Sequence, residues 1–154
     1  MRICIDAGHG GKDSGAVNSN VYEKNIVLNI SIMLADILKS KGIDIYLTRN
    51  NDIYDSPSIK AQKSNKYKAD LFVSIHCNSS SNKSANGVEC LAYGNNGINE
   101  VLASDICNNI SKDLGIRNRE VKIRPDLTVL NKTNMTAILV ELAFLSNENE
   151  KIYL

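Results

Sequence analysis

The chain has 154 residues, 43% of them hydrophobic and 23% charged, with a formal net charge of +1. That is the size and balance of one globular domain able to bury a core. Lys and Arg are scattered and Trp is absent, which argues against nucleic acid as a partner, since phosphate binding needs a basic face and base stacking an aromatic platform.

Strand and helix patterns alternate along the whole chain, so the expected fold is α/β. One domain is expected, built on a twisted, mostly parallel sheet with helices on both faces. Arg2 to Asp6 reads as a short apolar strand, ended by the turn-rich run Ala7-Gly8-His9-Gly10-Gly11. A polar loop through Asn18, Ser19 and Asn20 follows. Ile26, Val27, Ile30, Leu34, Ile37 and Leu38 recur at the spacing of one helix face, and Gly42 supplies the stop. Ile43 to Thr48 alternates as a second strand. Ser56-Pro57 is an N-cap followed by proline at the first helical position, opening a helix to about Tyr67.

Leu71 to Ile75 is a continuous apolar run, the pattern of a strand covered on both faces. Asn78 to Asn86 is a loop of Ser, Asn and Lys, and Gly87 to Tyr93 a further strand. Leu102, Ile106, Ile110 and Leu114 step by four and mark a second long helix. Thr128 to Leu130 is expected as a short strand and Ala137 to Glu141 as a firmer one. Ser146 with Glu148 and Glu150 reads as the acidic first turn of a last helix.

No apolar stretch has the length of a membrane span, and Met1-Arg2 leads straight into the first strand with no signal peptide. A substrate outside the membrane would then imply release by another route, or an excised domain. Cys4, Cys77, Cys90 and Cys107 form no CxxC pair, so they read as reduced, mostly packed thiols.

The two histidines, His9 and His76, each stand just past the end of an expected strand. Ligands of open α/β sheets gather outside those carboxyl ends, so the pair could share a site. Either alone reads equally as a loop or a satisfied core histidine. A catalytic zinc site takes three protein ligands, commonly two imidazoles and a carboxylate, and leaves a position for water. Glu23, at the start of the first long helix, is the candidate carboxylate, although on spacing alone a plain first-turn glutamate is the stronger reading. Glu141 follows Ile138-Leu139-Val140 at the end of a buried strand. A carboxylate there needs a cation partner, a metal or water, and next to a metal site it would suit a general base.

Ile5-Asp6-Ala7-Gly8-His9-Gly10-Gly11, Glu23-Lys24-Asn25, Leu47-Thr48-Arg49, Ser74-Ile75-His76-Cys77-Asn78 and Val140-Glu141-Leu142-Ala143-Phe144-Leu145-Ser146-Asn147 together resemble the zinc-dependent N-acetylmuramoyl-L-alanine amidases. These are the α/β catalytic domains of autolysins, sporulation lysins and phage endolysins. The resemblance runs in order from Met1 to near Leu154. It implies zinc held by His9, Glu23 and His76, with Glu141 as catalytic base and Asn78 beside the metal as a substrate contact. It also implies hydrolysis of the amide between N-acetylmuramic acid and L-alanine in peptidoglycan. Action on the bacterial cell wall, with a monomer as the favoured state, goes with that reading.

The loops around Gly10, Ser79 to Asn86 and Asn95 would suit a long polar substrate. Lys60 stands where the family often has Arg, ahead of Ser64-Asn65. Asn131 and Thr136 replace a frequent Arg and Pro, and Ala143 a common Gly. These departures touch substrate contacts rather than the chemistry. Leu154 reads as a truncation before a further helix, or as the loss of a wall-binding module. A peptidoglycan peptidase and a catalytically silent wall binder are the rival readings.

Overall fold

A computed structural model of the chain describes residues 1–94 and 97–154; the loop expected at Asn95 lies outside the described residues. The elements in order are β1 (Arg2–Ala7), β2 (Val17–Asn18), β3 (Val21–Tyr22), α1 (Glu23–Ser40), β4 (Asp44–Leu47), α2 (Pro57–Tyr67), β5 (Leu71–Asn78), β6 (Val88–Ala92), α3 (Ile98–Leu114), β7 (Asn118–Ile123), α4 (Thr128–Asn131) and β8 (Thr136–Phe144), with a closing 3-10 turn at Lys151–Tyr153. Among the described residues, six strands form one sheet in the order β4-β1-β5-β8-β6-β7. Every pairing is parallel except β6 with β8. The expected mostly parallel α/β sheet is therefore present.

Helices α1 and α3 cover one face. On α1 the buried stripe is Val27, Ser31 and Ala35, with Ile26, Ile30, Leu34 and Leu38 packed beside it. Ile37, which the periodicity assigned to that face, is 55% exposed. On α3 the small side chains Ala103 and Cys107 are buried, letting the helix lie close to the sheet. Helices α2 and α4 cover the other face, where Val129 and Leu130 meet Cys4, Phe72, Leu91, Ala137 and Leu139. Ser56 caps α2 as expected, its side chain accepting from the Ile59 N–H at 3.4 Å.

Two expectations are corrected, and one strand went unread. Thr128 to Leu130 is not a strand but the helical turn α4; four apolar-rich residues carry too little periodicity to separate the two, and burial of Val129 and Leu130 is met by either. β7 went unread because Arg119, Glu120 and Lys122 dilute it, although Val121 and Ile123 alternate inward as an edge strand should. The acidic first turn expected at Ser146 does not form. Glu150 is instead buried, its carboxylate accepting from Gly87 N–H at 2.6 Å and Phe144 N–H at 2.8 Å, so it ties the chain end to β6 and β8.

All four cysteines are buried and free, and burial pushes the Cys4 thiol up to about 12. The folded protein should therefore resist a thiol reagent, whereas the chain unfolded without reductant should titrate as four free thiols. Any shortfall in the unfolded count would reveal a bridge.

Candidate metal centre

The carboxyl ends of β1, β5 and β8 lie side by side, with Ala7 opposite Ile75, Ile75 opposite Val140, and His76 opposite Glu141. Gly8 follows β1, and its N–H donates to the Ile75 carbonyl at 3.1 Å. The imidazole of His76 leans across it. A Cβ on Gly8 would fall 2.4 Å from the His76 ring, so this position tolerates no side chain. His9 comes next, at φ 57°, a left-handed conformation uncommon outside glycine and a mark of functional sites.

Glu23 is the first residue of α1, and its helix is started by the preceding loop: Glu23 N–H donates to Ala16 C=O and Lys24 N–H to Ser14 C=O. The Glu23 side chain turns back into the protein. Its Oε2 accepts from Ala16 N–H at 2.8 Å, and its Oε1 from Cys77 N–H at 2.9 Å. The same Oε1 lies 3.1 Å from His9 Nε2 and 3.0 Å from His76 Nδ1. The two rings meet edge to face, their centroids 4.8 Å apart. Burial alone would raise the Glu23 pKa, but His76 and His9 hold its carboxyl well below the usual range.

One donor atom each from His9, Glu23 and His76 lies within 4.8 Å of the others, the only such trio among the described residues. Two imidazoles and one carboxylate, with one side open to solvent, fit zinc in both ligand type and number. Glu141 stands beside His76 on the neighbouring strand. Its Oε2 is buried and has no hydrogen-bond partner among the described residues, and burial raises its carboxyl to about 7.

The family described as N-acetylmuramoyl-L-alanine amidase matches residues 3–154. The chain belongs to this family. The endolysin of Bacillus phage SPP1 is 37% identical over 155 residues, covering 96% of this chain and 56% of that protein; the chain thus spans about half the length of that relative. Among solved structures, an N-acetylmuramoyl-L-alanine amidase from Clostridium difficile 630 superposes with a TM-score of 0.92 at 34% identity, covering 98% of this chain and 83% of that one. Cwp6 from Clostridium difficile gives a TM-score of 0.93 at 37% identity, covering 98% of this chain and 25% of that one.

Asn78, the expected substrate contact of this amidase-family chain, is partly exposed and hydrogen-bonded within the protein. Its Nδ2 donates to Glu89 Oε1 at 3.0 Å and its Oδ1 accepts from Ser79 N–H. Glu89 lies opposite Glu141 across β6 and β8, and Arg119 pairs with it at 2.8 Å.

Sequence reasoning named no role for the residues beneath the site. Asp6 is buried and takes hydrogen bonds from Thr48 Oγ1 at 2.6 Å and Ser74 Oγ at 2.7 Å, with Lys60 Nζ 3.0 Å away. Burial would raise its pKa, yet Lys60 and the two hydroxyls hold it below the ordinary carboxylate value. Lys60 also donates to Ala7 C=O at 2.6 Å. Arg49, buried as well, donates to the carbonyls of Ala7, Gly8 and Lys24. Lys24 reaches Gly11 C=O at 2.9 Å and Asp52 at 2.7 Å. These cations grip the carbonyls of the glycine-rich loop and so fix where His9 can stand. A signal existed in the quoted motifs, since Asp6, Lys24, Thr48 and Arg49 all fall inside them.

Replacing Lys60 by Met would leave Asp6 charged, buried and without its cation. Removing one member of such a pair costs about 3–5 kcal/mol. Denaturant unfolding of metal-free Lys60→Met should show a loss of that order, and an unchanged midpoint would mean the pair carries no stability.

Proposed function

We propose that this chain is a catalytic domain, spanning residues 1–154, that hydrolyses the amide between the lactyl group of N-acetylmuramic acid and L-alanine in peptidoglycan, with zinc held by His9, Glu23 and His76. The observation that carries this reading is the meeting of those three donors beside Glu141, whose buried Oε2 has no hydrogen-bond partner among the described residues. A silent wall-binding module has no use for that carboxylate, which costs stability. Family membership supports the amide as the bond cut.

Zinc, when bound there, polarises a carbonyl and makes water a stronger nucleophile near neutral pH. Glu141 takes the proton of the attacking water. The same carboxyl then delivers that proton to the departing alanine amine, which leaves poorly as an anion. Its raised pKa suits both halves of the task, because the carboxylate is basic enough to accept the proton and acidic enough to return it.

Peptidoglycan is thus the partner, and the cell wall the place of action. Among the described residues no helix is long and apolar enough to cross a membrane.

Alanine in place of His9, Glu23 or His76 should abolish tight zinc binding together with activity, as metal analysis of each purified variant would read; full zinc content in His76→Ala would remove that residue from the ligand set. Mass spectrometry of digested muropeptides, with and without chelator, should find intact stem peptides released from the sugar. Products cut within the stem would mean a peptidase.

Glu141→Gln should keep its zinc and lose about a hundred- to ten-thousand-fold in rate. Its effect on stability has a definite sign. The folded metal-free protein keeps the Glu141 proton up to about 7, whereas the unfolded chain releases it near 4.5. The group's contribution is therefore fully present below the lower value and lost as pH rises through the upper one. In chelator above neutral pH, the Gln variant should melt higher than wild type. An equal or lower melting temperature would contradict the burial argument.

A further inference from the structure

His9 and His76 turn different nitrogens toward Glu23. His76 offers Nδ1 at 3.0 Å, and His9 offers Nε2 at 3.1 Å. A neutral imidazole can bind a metal only through the nitrogen that lacks the proton, so His9 needs its proton on Nδ1. At that atom stands Asp13, with Oδ2 2.9 Å away.

Asp13 is itself held from several sides. It exchanges backbone hydrogen bonds with Gly10, Gly10 N–H to Asp13 C=O at 2.9 Å and Asp13 N–H to Gly10 C=O at 3.1 Å. Its other carboxylate oxygen, Oδ1, accepts from Gly15 N–H at 3.1 Å. Each oxygen therefore faces a different N–H group. Gly15 can approach only because it has no side chain: a Cβ there would sit 2.5 Å from both Glu23 Oε2 and His9 Cδ2. The loop from Gly10 to Gly15 is closed around this one carboxylate.

We infer that Asp13 is a positioning residue, which accepts the Nδ1 proton of His9 and thereby keeps the Nε2 lone pair directed at the Glu23–His76 side of the site. The inference rests on the zinc reading given under Proposed function. Carboxylates that accept from a ligating imidazole fix its tautomer and ring orientation, and losing one costs about 10–100-fold in metal affinity.

The geometry makes Asn the informative replacement. It matches Asp in shape, but one of its two terminal atoms is a donor. If Oδ1 keeps the Gly15 bond, Nδ2 faces His9 and donates to Nδ1. The ring proton is then driven to Nε2, the nitrogen that must be free. If the amide turns over, Nδ2 confronts the Gly15 N–H, two donors face each other, and that loop contact is lost. Ala supplies neither acceptor nor donor at Nδ1, which leaves the Glu23 carboxylate, 3.1 Å from Nε2, as the one remaining bias on the ring proton in the metal-free chain.

Zinc affinity of the full chain, measured by chelator competition, and histidine-selective nitrogen NMR of the metal-free protein at alkaline pH test this. With only two histidines, His76→Ala assigns the spectrum. Asp13→Asn should bind zinc about 10–100-fold more weakly than wild type, at least as weakly as Asp13→Ala, and should carry the His9 proton on Nε2 instead of Nδ1. A purely structural Asp13 gives the opposite order, with Asn rescuing what Ala loses. Wild-type affinity in Asp13→Asn, or an Nδ1 proton retained there, overturns the inference. Should Asp13→Ala fail to fold, the tautomer in Asp13→Asn decides alone. A wild-type chain that binds no zinc overturns the metal reading itself, a result distinct from equal binding by wild type and variant.

Discussion

Taking a carboxylate out of water costs several kcal/mol unless hydrogen bonds and opposite charge replace the lost hydration. Glu23 is buried, and the surrounding structure is arranged around that cost. Its two oxygens collect the backbone N–H groups of Ala16 and Cys77 and the ring nitrogens of His9 and His76. Those partners come from the glycine-rich loop, the segment before α1, and the end of β5. Satisfying one side chain thus joins the N-terminal loops to the end of β5, and the same satisfaction assembles the candidate ligands. Glycine at positions 8 and 15 is a direct consequence, because the rings and the carboxylate occupy the space a Cβ would need.

Glu141 is the counterpart. It sits within β8 opposite His76 and is also largely removed from water, but among the described residues nothing donates to its Oε2. Two glutamates in one site are therefore driven apart: Glu23 stays charged because imidazoles face it, and Glu141 rises to about 7 because little does. Such divergence separates a ligand from a base. Glu89, across the sheet from Glu141, is tied instead to Arg119 and Asn78. Asn78 thus shares Glu89 with Arg119.

Much of this was legible from residue order. The apolar runs of β1, β5 and β8, the Ser56-Pro57 start of α2 and the Gly42 stop after α1 are local signals, and each reappears in the structure. His9, Glu23, His76 and Glu141 could be named because each stands at or near the boundary of such an element, although β5 and β8 run on past His76 and Glu141 to Asn78 and Phe144. The misreadings share a cause. α4 is too short for its periodicity to be told from a strand, and β7 is an edge strand whose polar residues mask its alternation. Glu150 looked like a helix-start acid because nothing nearby in sequence reveals that Gly87 and Phe144 donate to it.

Sequence alone determined the alternation of strand and helix, and with it the parallel sheet whose strand ends form the site. Periodicity and capping act over a few residues and survive in a linear reading. Only the tertiary structure decided which groups neutralise which. That Lys60 and Arg49 grip the loop carbonyls, and that Glu141 Oε2 has no hydrogen-bond partner among the described residues, depend on distances across the fold. Charge interactions act through space and depend on burial, so no spacing along the chain encodes them.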